Sequence, residues 1–443
     1  MISPEITFVN HASVVFSFKK IRLITDPWLF GSAFNDSWNL TSKSKMDVKD
    51  FKDISHIWFS HEHPDHFNLG VLFSIPEEIR KNITVLFQDT LDHRVVEKCK
   101  KLGFLVIEMK HNKFYTLDDE FKVKCRPYLL YDSLLYLEIC NKKILNLNDC
   151  GVDSIRQAEY IQKITGDVDL LLTQFGYAAH IGDPEDIELR KQTSKEKLAR
   201  IKIQSHVFNA KQVIPFASFV WFSHEDNFYM NDEVNKIKTV EEFIKKETKS
   251  IPIILYPGDK WVLNQEHNND QAIKLYEHDF AIERVPNKNS SKITLDEIQS
   301  YSNKYIKNIR NSNNWTLIKL AHSISFLKTA KIYLKDLKLS VTFDLVHGIN
   351  ESNFSKVDAD IIMDSDSLAF AFKFDFGADT LLANARFRKS GGRTMIFFRQ
   401  FMIGTLNNNG RTFPIGIIGF LLRERSMWKS LFLEVILGKY DFE

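Results

Sequence analysis

The densest cluster of metal-binding side chains lies at positions 60–66, which read Ser-His-Glu-His-Pro-Asp-His. Three imidazoles and a carboxylate in one tight turn can converge on an ion, and such nitrogen and oxygen ligands suit zinc, iron or manganese. A histidine-rich surface loop is the alternative interpretation. Because the spacing His-x-His-x-Asp-His is seldom met by chance, the heptapeptide predicts a metal site.

Several short apolar runs of strand character end at residues of the same chemical types. Residues 54–60 lead into the histidine turn, and other runs end at Asp26, Asp149 and just before His224. His180 follows a further strand and is the second choice to His224 as a late histidine ligand. Because the strand ends of a layered sheet meet at one edge, we expect these side chains to lie together.

The composition is that of an ordinary globular protein. The 443 residues are 44% hydrophobic and 26% charged, with a net charge of +2 and no long basic block, which argues against a nucleic-acid partner. The sequence has neither a long apolar run nor a signal-peptide pattern, so a cytoplasmic location is expected. The four cysteines form no Cys-x-x-Cys pair, which favours reduced thiols over a disulfide framework or a zinc knuckle.

The order of the predicted elements divides the chain into three parts. Alternating strands and helices over residues 1–265 predict an α/β layered catalytic domain. The polar residues 266–310 predict a linker with a helical connection. Residues 311–443 predict an appended α+β accessory domain, whose meander resembles sterol-carrier-like modules. Within it we expect a helix over 317–334 and strands at 338–345, 359–363, 369–374 and 382–387.

A strand-end Asp26, the histidine turn, a second strand-end Asp149 and a late His224 together resemble the metallo-β-lactamase superfamily. The resemblance implies a four-layer αββα sandwich, in which two sheets carry helices on their outer faces. It implies one or two metal ions at the shared sheet edge. Asp26 would then support the site from behind by orienting the histidine turn.

The resemblance also implies the ligands of each ion. His61 and His63 would bind one ion, Asp65 and His66 would bind a second, and Asp149 would bridge the two. The late histidine is expected to act as a further ligand or as an acid that contacts the substrate.

Within the superfamily, residues 10–13 and 25–28 are similar to the branch that contains ascorbate-phosphate lactonases and N-acylphosphatidylethanolamine phospholipase D. The metallo-β-lactamase part of the CMP-N-acetylneuraminate hydroxylase family is more similar, through residues 26–38, 144–150 and 215–224. That family also carries a Rieske iron–sulfur module, which requires Cys-x-His and Cys-x-x-His pairs. This sequence contains neither pair, so hydroxylation would require a separate redox partner.

The sequence departs from the superfamily pattern at one ligand. A third histidine should precede the strand that begins at residue 133, yet residues 126–132 contain none. The candidate substitutes are Asp132, Tyr128, Tyr131 and His11. A site with a single weakly held ion is the other alternative.

The expected chemistry is hydrolysis of a small-molecule ester, lactone or phosphodiester that is phosphorylated or otherwise anionic. One or two divalent ions lower the pKa of bound water from about 15.7 toward 7. Asp65 would align that water and His224 would stabilise the developing oxyanion.

Two other functions fit the same residues. A non-haem iron oxygenase related to the CMP-N-acetylneuraminate hydroxylase family would use the same histidines and carboxylates. A non-catalytic binding protein with a degenerate metal site is the third alternative, and assembly into a homo-oligomer is compatible with all three.

Overall fold

The first of two large sheets, sheet 1, is formed mainly by the amino-terminal quarter of the chain. The computed structural model describes residues 3–128, 132–288, 292–389 and 393–416. The seven strands of sheet 1 are β1 (Glu5–Asn10), β2 (Ser13–Phe18), β3 (Ile21–Thr25), β5 (His56–Trp58), β6 (Thr84–Gln88), β7 (Leu105–Met109) and β16 (Lys260–Val262). They lie in the order β16-β1-β2-β3-β5-β6-β7, and the run from β3 to β7 is parallel. The carboxyl ends of β3, β5 and β6 therefore lie at one edge.

The second large sheet, sheet 2, also has seven strands. They are β8 (Phe114–Asp118), β9 (Phe121–Tyr128), β10 (Asp132–Ile139), β11 (Lys142–Asn148), β12 (Leu170–Gln174), β13 (Gln212–Phe216) and β15 (Ile251–Pro252). Their order is β15-β13-β12-β11-β10-β9-β8, with β11, β12 and β13 parallel. A separate short ribbon pairs β4 (Trp38–Leu40) with β14 (Val220–Phe222).

The two sheets pack face to face because successive side chains of a strand point to opposite faces. Phe8 and Phe16 of sheet 1 share one hydrophobic core with Leu135 of sheet 2, and all three are fully buried. Val15, the neighbour of Phe16, belongs instead to the core beneath the helices on the other face. Strand β2 therefore contributes to two cores.

Helices cover the outer faces of both sheets. Sheet 1 carries α1 (Leu69–Ser74), α2 (Glu77–Arg80), α3 (Arg94–Lys101) and a 3-10 helix (Val48–Asp53). Sheet 2 carries α4 (Ile155–Thr165), α5 (Ile187–Val207), α6 (Ile237–Glu247) and α7 (Asp270–Ala281). This is the four-layer αββα sandwich of the metallo-β-lactamase fold, which confirms the predicted fold class.

The remaining elements form what we call the C-terminal unit, an α+β layer with its own hydrophobic core. Its sheet has the order β19-β18-β17-β20-β21, built from β17 (Ala330–Leu334), β18 (Leu339–Asp344), β19 (Gly348–Ser352), β20 (Ile361–Met363) and β21 (Arg388–Lys389). Its helices are α8 (Leu295–Ser312), α9 (Trp315–Ser323), α10 (Ser365–Lys373), α11 (Gly377–Asn384), α12 (Met395–Arg399) and α13 (Met402–Asn408).

Several predicted elements in this region and before it are wrong. The strand predicted at 369–374 is helical as far as Lys373, because its alternating Ala and Phe residues lie in α10, which packs against α8 and α11. Of the strand predicted at 382–387, residues 382–384 form the last turn of α11. The helix predicted over 317–334 ends at Ser323, and the chain then enters β17. The apolar run that ends just before His224 forms two strands and not one, because the chain turns after β13, where Ala217 has a φ of +52°.

The predicted domain boundaries and the sterol-carrier-like character of the accessory domain stay predictions. Residues 417–443 of that domain lie outside the described part of the chain. Among the helices of the described ranges, none combines the length and apolarity that crossing a membrane requires.

Candidate metal centre

The histidine turn begins two residues after β5 and is held by the residue that follows β3. The backbone N–H of Asp26 donates to the carbonyl oxygen of Trp58 (3.0 Å), and the backbone N–H of Ser60 donates to Asp26 Oδ1 (2.8 Å). At the other end, the N–H of His66 donates to the carbonyl oxygen of His63 (3.0 Å). Both ends of the turn are thus anchored, so its side chains have little freedom to move apart.

His66 lies at the centre of the site and is fully buried. Its Nδ1 lies 3.1 Å from Asp26 Oδ2, while its Nε2 lies 3.3 Å from Asp65 Oδ2 and 3.4 Å from Asp149 Oδ2. Burial alone would lower the pKa of His66, but the carboxylates of Asp65 and Asp149 raise that pKa well above its ordinary value. Nε2 also has no hydrogen-bond partner among the described residues. The carboxylates of Asp65 and Asp149 therefore favour a positive charge at the position between them.

Two groups of potential ligands share His66. One consists of His11, Asp65 and His66, and the other of His61, His66 and Asp149, and within each group the ligand atoms lie within 4.8 Å of one another. Asp65 Oδ1 and His11 Nδ1 are buried without a hydrogen-bond partner in the described part of the chain. Unsatisfied buried nitrogen and carboxylate oxygen atoms at this spacing fit one or two divalent ions.

The first two histidines of the turn lie against each other. His61 Nε2 is 2.9 Å from His63 Nδ1, and Ser60 Oγ is 2.9 Å from His61 Nδ1. Burial, together with repulsion from His66, holds the pKa of His61 well below its ordinary value, and burial also lowers the pKa of His63. Both rings are therefore neutral near pH 7, which is the form that binds metal.

Of the predicted substitutes for a third histidine, His11 and Asp132 lie beside the turn. His11 Nε2 is 3.3 Å from Asp65 Oδ2, and Asp132 Oδ1 is 3.7 Å from His61 Nδ1. Burial, reinforced by repulsion from Asp149, raises the pKa of Asp132 to about 8. Tyr128 instead donates its hydroxyl hydrogen to the carbonyl oxygen of Gly151 (2.6 Å).

The fourth substitute, Tyr131, lies outside the described residues.

The two late histidines belong to neither ligand group. The Nδ1 of His224 accepts the backbone N–H of Asp226 (3.2 Å). His180 stacks on Phe387 of the C-terminal unit, with ring centroids 4.2 Å apart, and its Nε2 lies 3.4 Å from Asp183 Oδ1. The assignment of either histidine as a ligand stays a prediction.

Three supporting residues were not identified from the sequence. The side-chain amide of Asn148 donates to Asp26 Oδ2, so one aspartate receives hydrogen bonds from both sheets. Gln174 Nε2 donates to Asp149 Oδ1 (3.1 Å), and Lys197 Nζ donates to Gln174 Oε1 (3.2 Å). Gln174 ends β12, the parallel neighbour of β11, so the strand-end argument that selected Asp149 could have found it. Lys197 lies within α5, and no strand-end signal marks it.

The backbone is strained where the two sheets meet. His11, Asp26 and Asn148 have φ angles of +40°, +38° and +50°. Such left-handed conformations cost about 1–2 kcal/mol for most residues other than glycine, and less for asparagine and aspartate, whose short polar side chains tolerate them. Their positions beside His66 fit a functional site, where the surrounding fold maintains such conformations.

No protein-family model matches the chain. Among curated proteins, it is 23% identical to a cytidine monophosphate-N-acetylneuraminic acid hydroxylase from Danio rerio over 324 residues, which is 66% of this chain and 53% of that protein. It is 35% identical to the hydroxylase of the same name from Asterias rubens over 69 residues, 15% of this chain and 11% of that protein. The chain spans about half the length or less of the curated relatives that it matches.

A solved structure with a similar arrangement is that of CmlA, a diiron β-hydroxylase from Streptomyces venezuelae. The two are 15% identical, with a TM-score of 0.41 over 59% of this chain and 55% of that one. The protein is thus a metallo-β-lactamase fold protein by its own layers and sheet order, with sequence similarity to CMP-N-acetylneuraminic acid hydroxylases.

Proposed function

We propose that the protein is a metal-dependent hydrolase that cleaves an ester, a lactone or a phosphodiester. The observation that carries this proposal is His66 Nε2, which is buried between the carboxylates of Asp65 and Asp149 and has no hydrogen-bond partner in the described ranges. A divalent ion satisfies a nitrogen and carboxylates in this arrangement at once, whereas a hydrophobic core does not.

The residues that would hold the ions are His61, His63 and His66 with Asp65, Asp149 and His11. When bound, divalent ions supply Lewis acidity and a hydroxide formed from water near neutral pH.

The protein's own part is to fix these ligands. Asp26 holds Nδ1 of His66, so Nε2 faces the carboxylates of the site. Gln174 holds Oδ1 of Asp149, so Oδ2 is the oxygen that remains next to His66. In this proposal Asp65 orients the attacking water through the oxygen that has no other hydrogen-bond partner among the described residues.

We infer a small, phosphorylated or anionic substrate, because an ion centre polarises such groups. The test is a panel of nitrophenyl esters, lactones and bis(nitrophenyl) phosphate, offered to protein that has been reloaded with zinc or manganese. Metal-dependent turnover that is lost in Asp65→Asn and kept in the exposed control Asp119→Asn supports the proposal. Turnover that is equal in both variants contradicts it.

A second candidate function is hydroxylation by non-haem iron. Similarity to CMP-N-acetylneuraminic acid hydroxylase over 66% of the chain favours it, and the same histidines and carboxylates bind iron. We propose that a separate redox partner would then supply the electrons. Oxygen uptake by iron-loaded protein in the presence of a reductant, with no hydrolysis of the panel, would replace the first candidate by this one.

A further inference from the structure

The C-terminal unit contains a second group of metal-binding side chains, far along the chain from the histidine turn. His322 lies in the last turn of α9, Asp344 ends β18, and His347 lies in the turn that leads to β19. One ligand atom from each residue lies within 4.8 Å of the other two. The three residues come from two separate segments, so the tertiary fold brings them together.

The carboxylate of Asp344 is held in one orientation. Its Oδ1 accepts the backbone N–H groups of Val346 (2.9 Å) and His347 (2.8 Å), and its Oδ2 accepts the hydroxyl of Thr329 (2.8 Å). Burial opposes ionisation, but these hydrogen bonds keep the pKa of Asp344 below its ordinary value. A buried, ionised and oriented carboxylate is a ready ligand.

His322 has its tautomer set by the backbone. Its Nδ1 lies 2.9 Å from the carbonyl oxygen of Leu327. A carbonyl oxygen only accepts hydrogen bonds, so Nδ1 carries the hydrogen and the lone pair lies on Nε2. Metal-binding histidines are usually oriented in this way, by donating the other ring N–H to a carbonyl or carboxylate.

His347 completes the group from the solvent side. Its Nδ1 lies 3.1 Å from Asp344 Oδ1, and its ring centroid is 5.2 Å from that of His322, edge to face. The side chain is 63% exposed, so this side of the group faces solvent.

We propose that His322, Asp344 and His347 form a second metal site, which binds a zinc-like divalent ion and leaves a fourth position to water. Two imidazoles and one carboxylate suit zinc or a neighbouring transition metal, whereas calcium and magnesium prefer oxygen ligands alone. The ion ties the end of α9 to the turn between β18 and β19. The site is separate from the candidate metal centre and does not depend on the proposed hydrolysis.

The test is chemical labelling of histidines with diethyl pyrocarbonate on the full-length protein, with and without zinc sulfate, followed by peptide mass spectrometry. Zinc should protect His347 in the wild-type protein, while the exposed His278 on α7 stays labelled at the same zinc concentration. The labelling of each histidine is read separately, so zinc at the histidine turn does not affect the result.

Two variants show whether protection needs all three residues. In His322→Ala and in Asp344→Asn, zinc should no longer protect His347. The second variant retains an oxygen that can accept the N–H groups of the turn, so it tests the ligand if the first variant fails to fold. Equal labelling of wild-type His347 with and without zinc would overturn the proposal, as would protection that persists in both variants.

Discussion

Two regions of the molecule bury carboxylates but neutralise their charge differently. One is the edge where the two large sheets meet, and the other is the contact between the αββα sandwich and the C-terminal unit. At the contact, Asp226 and Asp364 pair with Lys335, and Asp366 pairs with the buried Arg386. At the sheet edge, the ion-pair partners of three carboxylates are histidines, as far as the structure describes the chain. These carboxylates are Asp26, Asp65 and Asp149.

This difference separates a structural cluster from a functional one. Arginine is always charged. Burial opposes the charge on Lys335, but the carboxylates of Asp226 and Asp364 hold the pKa of Lys335 above its ordinary value, so these cations carry their charge near neutral pH without any further group. Histidine carries charge only when it is protonated, so the sheet edge is neutralised either by a proton on His66 or by a bound cation. The histidine partners at the sheet edge therefore favour a metal centre there.

The largest expected effect comes from removing the residue that both ligand groups share. His66→Ala should lower metal-dependent turnover by about a thousandfold or more, because it removes a ligand from each group. Steady-state kinetics on the most active substrate of the panel measure the effect, with His278→Ala as the matched exposed control. A His66→Ala variant that keeps wild-type turnover would show that the sheet edge is not the site of the reaction.

Removing a buried cation from the contact should reduce stability without affecting metal binding. Arg386 is 1% exposed and bonds both Asp366 Oδ2 (2.9 Å) and the carbonyl oxygen of Asn35 (3.0 Å). Arg386→Met should lower the free energy of unfolding by about 2–4 kcal/mol, because it removes the buried cation that pairs with Asp366 and donates to the Asn35 carbonyl oxygen. Urea denaturation measures this loss.

The matched control for this variant is the exposed Arg399→Met, which should leave stability within about 0.5 kcal/mol of the wild type. Loss of bound metal in folded Arg386→Met would show that the two regions do not act separately.

A substitution behind the metal centre should weaken metal binding while the fold remains. Asp26→Asn suits the positive φ of this position, since asparagine tolerates it, but it removes the charge that holds Nδ1 of His66. We expect metal affinity to fall by roughly tenfold to hundredfold. Competition with a chromogenic chelator measures it, and Asp119→Asn is the control. An unchanged affinity would show that Asp26 does not orient His66.

The smallest expected effect concerns Lys197, which reaches the metal centre through Gln174. Burial lowers the pKa of Lys197 to about 7, below its ordinary value of 10.5. Between these two pH values the unfolded chain binds more protons than the folded chain, so the free energy of unfolding rises with pH. Lys197→Met should reduce this rise in the free energy of unfolding. Lys195→Met, which replaces an exposed lysine on the same helix, should leave the rise unchanged. Denaturation at a series of pH values tests this, and an unchanged slope in Lys197→Met contradicts it.

The parts of the molecule that could be predicted from sequence are those fixed by short-range pattern. The histidine turn carries its candidate ligands within seven residues, and Asp26 and Asp149 follow apolar strands whose ends meet at one edge. Lys197 could not be assigned in the same way, because its contact with Gln174 depends on how α5 lies beside β12. Alternating Ala and Phe in α10 indicated a strand, since a helix buried on several sides shows no helical periodicity.

The measurement that tests the central claim most directly is elemental analysis of protein purified without oxygen. We would compare His347→Ala, which removes the ion proposed for the C-terminal unit, with the double variant His66→Ala/His347→Ala. The account predicts at least one zinc, manganese or iron ion per chain in the single variant and its loss in the double variant. Equal metal content in the two proteins would contradict the account.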